Sequence, residues 1–275
     1  TLPLDEFFPF GPEVGDSTVR PNDDESEGPL QLTSVFPYFD NNHRQIWIAN
    51  NGLFSFLSPI HQYVPDPFPL ANDSRLVAGF WSDIDTRGIL NDTGNKVYYK
   101  IYDNTVLSNL TLTVFNRTKN YVRTFFPQQY LFEPTMVITA TWYRVGAFSS
   151  QISALNTFQI VLSTNGDHSF VFFLYHDIQW AKPSNNSNSY AQAGFNAGDG
   201  ITFSMLPHSR TQEIVQLVNE SNVNIPGLFI FRVDTDKIDA GGCTTNASMI
   251  SFRPSTSSQL GSTALSIFGP CFNNE

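Results

Sequence analysis

Apolar and polar residues alternate with a period of two along much of this chain, the spacing that turns one face of a β-strand toward a core. Gln45-Ile46-Trp47-Ile48-Ala49 runs into Asn50-Asn51-Gly52 and leaves through Leu53-Phe54-Ser55-Phe56-Leu57. Asn-Gly supplies the positive φ that a tight turn needs, so a hairpin is expected with Phe54 and Phe56 on one sheet face. A second hairpin is expected from Thr157-Phe158-Gln159-Ile160-Val161-Leu162 through Asn165-Gly166-Asp167 into Ser169-Phe170-Val171-Phe172-Phe173-Leu174-Tyr175. The β-branched and aromatic run Met136 to Tyr143 reads as a central strand, and Leu228 to Val233, just after Pro226-Gly227, as a later one.

One stretch breaks this rhythm. Between Asp103 and Phe126, Leu107, Leu110, Val114, Tyr121, Val122 and Phe125 fall mostly three, four and seven residues apart, which predicts a helix with Asp103 or Asn104 as its cap. A shorter helix is expected from Thr211 to Val218. The fold class is therefore mainly β, an antiparallel sheet or sandwich with one or two helices packed on it.

At 275 residues the chain fits one large β domain with a short appendage, divided here into 1–245 and 246–275. Its net charge of -10 opposes binding to nucleic-acid phosphates or anionic membranes. No segment approaches the roughly 20 apolar residues of a membrane-spanning helix. Only 15% of residues are charged, with Asn, Ser and Thr filling polar positions as in secreted proteins. A start at Thr1 fits a mature chain whose signal peptide has been removed.

Seven Asn-X-Ser/Thr sequons, at Asn72, Asn91, Asn109, Asn116, Asn185, Asn219 and Asn246, are expected glycosylation sites of an extracellular protein. The two cysteines, Cys243 and Cys271, lack zinc-site spacing, which leaves a disulfide between them or pairing with another chain. If they pair, a bond of that span contributes about 2–4 kcal/mol.

Several segments, taken in order, resemble the nidogen-like (NIDO) domain family known from nidogens, α-tectorin and certain mucins. They are Phe7-Phe8-Pro9-Phe10-Gly11-Pro12, Trp47 to Phe56, Val77-Ala78-Gly79-Phe80-Trp81-Ser82-Asp83-Ile84-Asp85, Val97-Tyr98-Tyr99, Thr139-Ala140-Thr141-Trp142, Asn156-Thr157-Phe158-Gln159, Ala191 to Asn196 and Asn222 to Gly227. An insertion around Ile89 to Asn95 departs from the tectorin-like members. The resemblance implies an extracellular module of adhesion or assembly, working through other extracellular proteins or further copies of its parent protein, without catalytic residues. The tail from Ile250 to Ser255 and from Gln259 to Phe272 is similar to the first two strands of an IPT/TIG immunoglobulin-like domain. Two strands cannot bury a core, so the tail either pairs with polypeptide outside the segment or folds back as a simple hairpin.

Asp83 and Asp85 are the most enzyme-like feature, because carboxylates two apart on a strand share a face and could hold calcium or act as an acid/base pair in a hydrolase. Arg87 stands where a further oxygen ligand would belong, which favours a capped strand end. His43, His61, His168, His176 and His208 form no metal-binding spacing and read mostly as surface residues. The 25 Phe, 10 Tyr and 4 Trp are compatible with a sugar-stacking, lectin-like face, but aromatics at strand spacing are more often core.

Overall fold

In the computed structural model the expected strands assemble into two packed sheets; residues 1–88, 94–183 and 189–242 are described in full, and 251–253 and 266–268 by their backbone. The strands in chain order are β1 (Ser17–Thr18), β2 (Ser26–Tyr38), β3 (Asn41–Ala49), β4 (Leu53–Ser55), β5 (Leu76–Trp81), β6 (Ile84–Asp85), β7 (Lys96–Asp103) and β8 (Met136–Ala147). They continue with β9 (Asn156–Thr164), β10 (Ser169–Ile178), β11 (Gln192–Asn196), β12 (Phe203–Met205), β13 (Leu228–Arg232), β14 (Asp239–Ala240), β15 (Ser251–Arg253) and β16 (Ser266–Phe268). One sheet runs β1-β7-β8-β9-β10-β13-β14, with β6 pairing to β8, and the other runs β12-β11-β5-β4-β3-β2. All the pairings are antiparallel.

Alternation along β10 explains the layering. Val171, Phe173 and Tyr175 point into the core between the sheets, while Phe170, Phe172 and Leu174 point to the opposite face. That second face is covered by α1 (Asn109–Phe125) through Val114, Phe115 and Val122, and by the N-terminal segment through Phe7 and Phe8. The outer face of the second sheet is closed by a loop that lays Phe68 on Trp81 and Leu76. Most of the aromatic content is thereby spent on packing.

Both hairpins form with the expected strands, Ala49 opposite Leu53 and Leu162 opposite Val171. Positive φ falls on Gly52 and Gly166, not on the preceding asparagines. Phe54 and Phe56 share the inter-sheet core, and the Met136–Tyr143 run lies inside the central strand β8. The long helix begins later than its spacing implied. Asp103 ends β7 opposite Met136, its Oδ1 accepts the Thr105 amide at 2.9 Å, and Ser108 caps the helix by accepting the Thr111 amide at 3.0 Å. Leu107 consequently lies outside the helix and is exposed. The shorter helix is a 3₁₀ segment, Gln212–Val218, with Thr211 as its N-cap.

In the tail, among the described residues, β15 and β16 pair only with each other, Phe252 opposite Ile267. Cys243, Cys271 and the sequons at Asn91, Asn185 and Asn246 lie outside the described residues, as does most of the Ile89–Asn95 insertion.

His43 is the exception to the mostly surface placement of the histidines. It is 4% exposed against Tyr38 and Phe56, and burial, helped by the nearby Arg75 charge, pushes its imidazole down to about 4. Between its unfolded value near 6.5 and about 4 the unfolded chain binds more protons, so stability falls as pH drops through that window, by about 3 kcal/mol. Asp16 works in the opposite sense. Burial raises it to about 6, despite a hydrogen bond from the Gly11 amide, so its folded form takes up a proton first and gains stability as pH falls below about 6. Urea unfolding from pH 7 to 4 should therefore show the two effects largely offset in the wild type, a clear loss of stability in Asp16→Asn and a gain in His43→Leu. Parallel slopes in the two variants would contradict both assignments.

Candidate functional site

Four separate segments meet at one end of the sandwich, and their polar side chains are turned inward. The Asn50 side chain donates to the carbonyl of Asn22 at 2.7 Å and to that of Asp23, with the Ile84 carbonyl 3.3 Å away. Asn51 donates to Asp24 at 2.8 Å and accepts the Ile84 amide at 2.9 Å. Asn22 and Thr86 exchange hydrogen bonds, the Asn22 amide reaching Thr86 Oγ1 at 2.9 Å and the Thr86 hydroxyl reaching the Asn22 carbonyl at 2.8 Å. Trp142 closes the corner from the facing sheet by donating Nε1 to the Asn50 carbonyl at 2.9 Å. Loop backbone buried here needs such partners, because an unsatisfied carbonyl or amide costs about 1–3 kcal/mol.

The two aspartates of the Trp81-to-Asp85 segment take different places in this corner. Asp83 precedes β6 and its carbonyl accepts the Phe148 amide at 2.9 Å. Asp85 lies in β6, fully buried, and its carboxylate is saturated. Arg87 donates from its amide at 2.9 Å, Nε at 2.8 Å and Nη2 at 2.8 Å, and Ser150 donates from its amide at 2.9 Å and hydroxyl at 3.1 Å. Burial alone would raise Asp85, but the bonds from Arg87 and Ser150 outweigh it and hold the carboxyl below its usual range. Arg87 also reaches Asp23 at 3.0 Å, tying the segment of Asn22 to Glu25 to β6. Among the described residues no three His, Cys, Asp or Glu side chains gather as a metal site would require. In this structure the Asp85 carboxylate spends its oxygens on Arg87 and Ser150 at the end of β6.

Three surface features remain. Asn72, Asn109, Asn116 and Asn219 are all exposed, and Asn109 and Asn116 stand two turns apart on the outer side of α1. A cavity of about 470 Å³ lies beneath the N-terminal segment, where Phe10 packs on Tyr143 at 5.3 Å and Tyr98 at 6.3 Å. At the edge of the second sheet, Ile201, Phe203 and Met205 are exposed in a row. Sequence reasoning passed over that row although Ile-Thr-Phe-Ser-Met alternates after the Asp199-Gly200 turn, a legible strand signal.

Asn50, Asn51, Ile84, Asp85 and Trp142 of this corner lie in segments on which the family resemblance rests, whereas residues 22–25 and Thr86 do not. A comparison with family descriptions matches the nidogen-like domain over residues 44–235. The chain belongs to the nidogen-like domain family. Human alpha-tectorin is 31% identical over 258 residues, covering 90% of this chain and 11% of that protein. Nidogen of Drosophila melanogaster is 31% identical over 240 residues, 85% of this chain and 17% of that protein, and mouse nidogen-2 is 31% identical over 251 residues, 83% and 17%. This nidogen-like chain therefore spans between about a tenth and a fifth of the relatives it matches. No solved structure matches it. The family match stops short of the tail that was likened to an IPT/TIG domain.

Proposed function

We propose that this nidogen-like chain is an extracellular, non-enzymatic module of adhesion or assembly, acting through contacts with other extracellular proteins or further copies of its parent. The observation that carries the reading is the inward corner: its polar residues spend their hydrogen bonds on holding loops together, with Asp85 saturated by Arg87 and Ser150. A catalytic or sugar-binding role would require such groups to face a cleft. Crosslinking mass spectrometry on the parent protein in its native assembly should find links from this domain to other polypeptides. A domain linked only to itself, or a glycan array that lights up with or without calcium, would count against it.

The sequons belong to the same reading. Asn72, Asn109, Asn116 and Asn219 have the exposure that a glycan needs, and Asn109 with Asn116 would place two glycans along the outer face of α1 and remove that face from contact. Glycosidase release in heavy water is expected to leave deuterium-tagged aspartate at Asn109 and Asn116 in secreted protein. Unmodified asparagine at all four positions would sink the extracellular assignment. In the same oxidising setting Cys243 is expected to be disulfide-bonded, with Cys271 as its partner, and to resist alkylation before reduction.

A further inference from the structure

The second sheet has two edges, and they are treated differently. β2 contains Pro29 and Pro37 and slips register twice against β3, between Glu27 and Leu30 and between Gln31 and Phe36, which disfavours regular addition of another strand. β12 has no such protection. Among the described residues it pairs only with β11, as Gly194 opposite Met205, Phe195 opposite Ser204 and Asn196 opposite Phe203. The amide of Leu206 donates to Ala193 and that of Ala197 to the Thr202 carbonyl, which sets the alternation so that the main chain of Phe203 and Met205 faces away from β11. The apolar side chains beside this open edge are Ile201, 78% exposed, Phe203, 39%, and Met205, 48%.

Gly194 shows how closely the edge is fitted. A Cβ there would lie 2.2 Å from the Ser204 carbonyl oxygen, so β12 sits where only glycine admits it. At its N-terminal end the edge meets a pocket of about 170 Å³ whose lining includes Thr202, Asp40, Asp73, Asp199, Asp236 and Arg75. Arg75 is paired with Asp73 at 2.8 Å, leaving the pocket with a surplus of carboxylate. Asp199 keeps its charge because the amide and hydroxyl of Thr202 and the amide of Ile201 hydrogen-bond to it, holding it at about 2.

We propose that the open edge of β12 takes up an extended strand of a partner protein, with alternating apolar side chains on Ile201, Phe203 and Met205 and a lysine or arginine in the acidic pocket. Main-chain hydrogen bonds supply the attachment, and the apolar row and the cation select which strand binds. The charge complementarity favours a basic partner over a second copy of this chain, which carries a net charge of -10. This docking mode rests on the assembly reading above and gives it a place and a partner chemistry.

The test uses the secreted chain and two synthetic twelve-residue peptides of alternating valine and threonine, one ending in two arginines and the other in two glutamates. The arginine peptide is expected to slow amide hydrogen exchange at Phe203 and Met205 and to bind about tenfold more tightly than the glutamate peptide. Phe203→Lys should remove the protection, and Asp236→Asn should narrow the difference between peptides. The Asn72→Gln form is measured in parallel, because that sequon adjoins Asp73 and a glycan at the pocket rim would block the edge. Equal binding of the two peptides, or no protection at Phe203 and Met205, overturns the proposal. Protection that rises with protein concentration alone assigns the edge to a second copy and overturns it too. If the edge stays unprotected while crosslinks from the domain to other proteins persist, only the docking mode fails; if those links are missing as well, the assembly reading fails with it.

Discussion

Trp142→Ala is expected to cost about 3–5 kcal/mol and to leave little folded protein in a secretion assay. The ring is completely buried, stacks on Phe158 with centroids 4.9 Å apart and planes 6° from parallel, and meets Phe54 edge-on at 6.3 Å. Truncation opens a cavity between the sheets and also strips the Asn50 carbonyl of the donor it holds at 2.9 Å. Both losses fall at the same point of the fold, so the cost should reach the upper part of that range, a large fraction of the 5–15 kcal/mol typical of a whole domain. Trp142→Phe keeps a ring against Phe158 and loses mainly the hydrogen bond, so it should cost about 1–3 kcal/mol. Chemical unfolding followed by circular dichroism separates the two variants. Equal midpoints for the alanine and phenylalanine forms would remove Trp142 from its role as the bridge between the sheets and the corner.

Gly52→Ala should be the other severe change, costing at least about 3 kcal/mol. Gly52 has φ of 88°, and a Cβ there would lie 2.0 Å from the Phe80 carbonyl oxygen. The backbone cannot retreat easily, since the Gly52 carbonyl accepts the amides of Gly79 at 3.0 Å and Phe80 at 3.2 Å. Gly166 provides the comparison. It has φ of 96° in the other Asn-Gly hairpin, but nothing lies within 4 Å of a Cβ there. Gly166→Ala therefore meets only the left-handed penalty, about 1–2 kcal/mol. Similar thermal shifts for the two alanines would show that the close approach of Gly52 to β5 contributes nothing.

These glycines mark what a linear reading can and cannot see. Both carry the same Asn-Gly signature, and both turns form as that signature predicts. Only the facing strand distinguishes them, and it lies some thirty residues away. The same division holds elsewhere. The unbroken apolar run of β10 is legible because both of its faces are buried, and the helical spacing of Val114 and Val122 correctly placed a packed helix. Its start was misplaced because β7 pairs with β8 as far as Asp103 opposite Met136, a tertiary preference that a cap residue does not reveal. Part of the corner, residues 50–52, 82–85 and 142, was visible as family-like segments, but its meaning depends on contacts with residues 22–25 and 86 as well. The acidic pocket beside β12 was invisible for the same reason, its carboxylates coming from four distant stretches.

The corner holds the fold and is distinct from the surfaces proposed to meet partners, a separation that Asp85→Ala puts to the test. The substitution removes the acceptor of Arg87 and Ser150 at the centre of the corner and leaves the β12 edge untouched. The measurement is the amount of folded variant parent protein incorporated into the proposed assembly, alongside its melting temperature. A lowered melting temperature with wild-type incorporation per folded molecule is the predicted result. An unchanged melting temperature with incorporation lost would place the function in the corner itself and contradict its structural role.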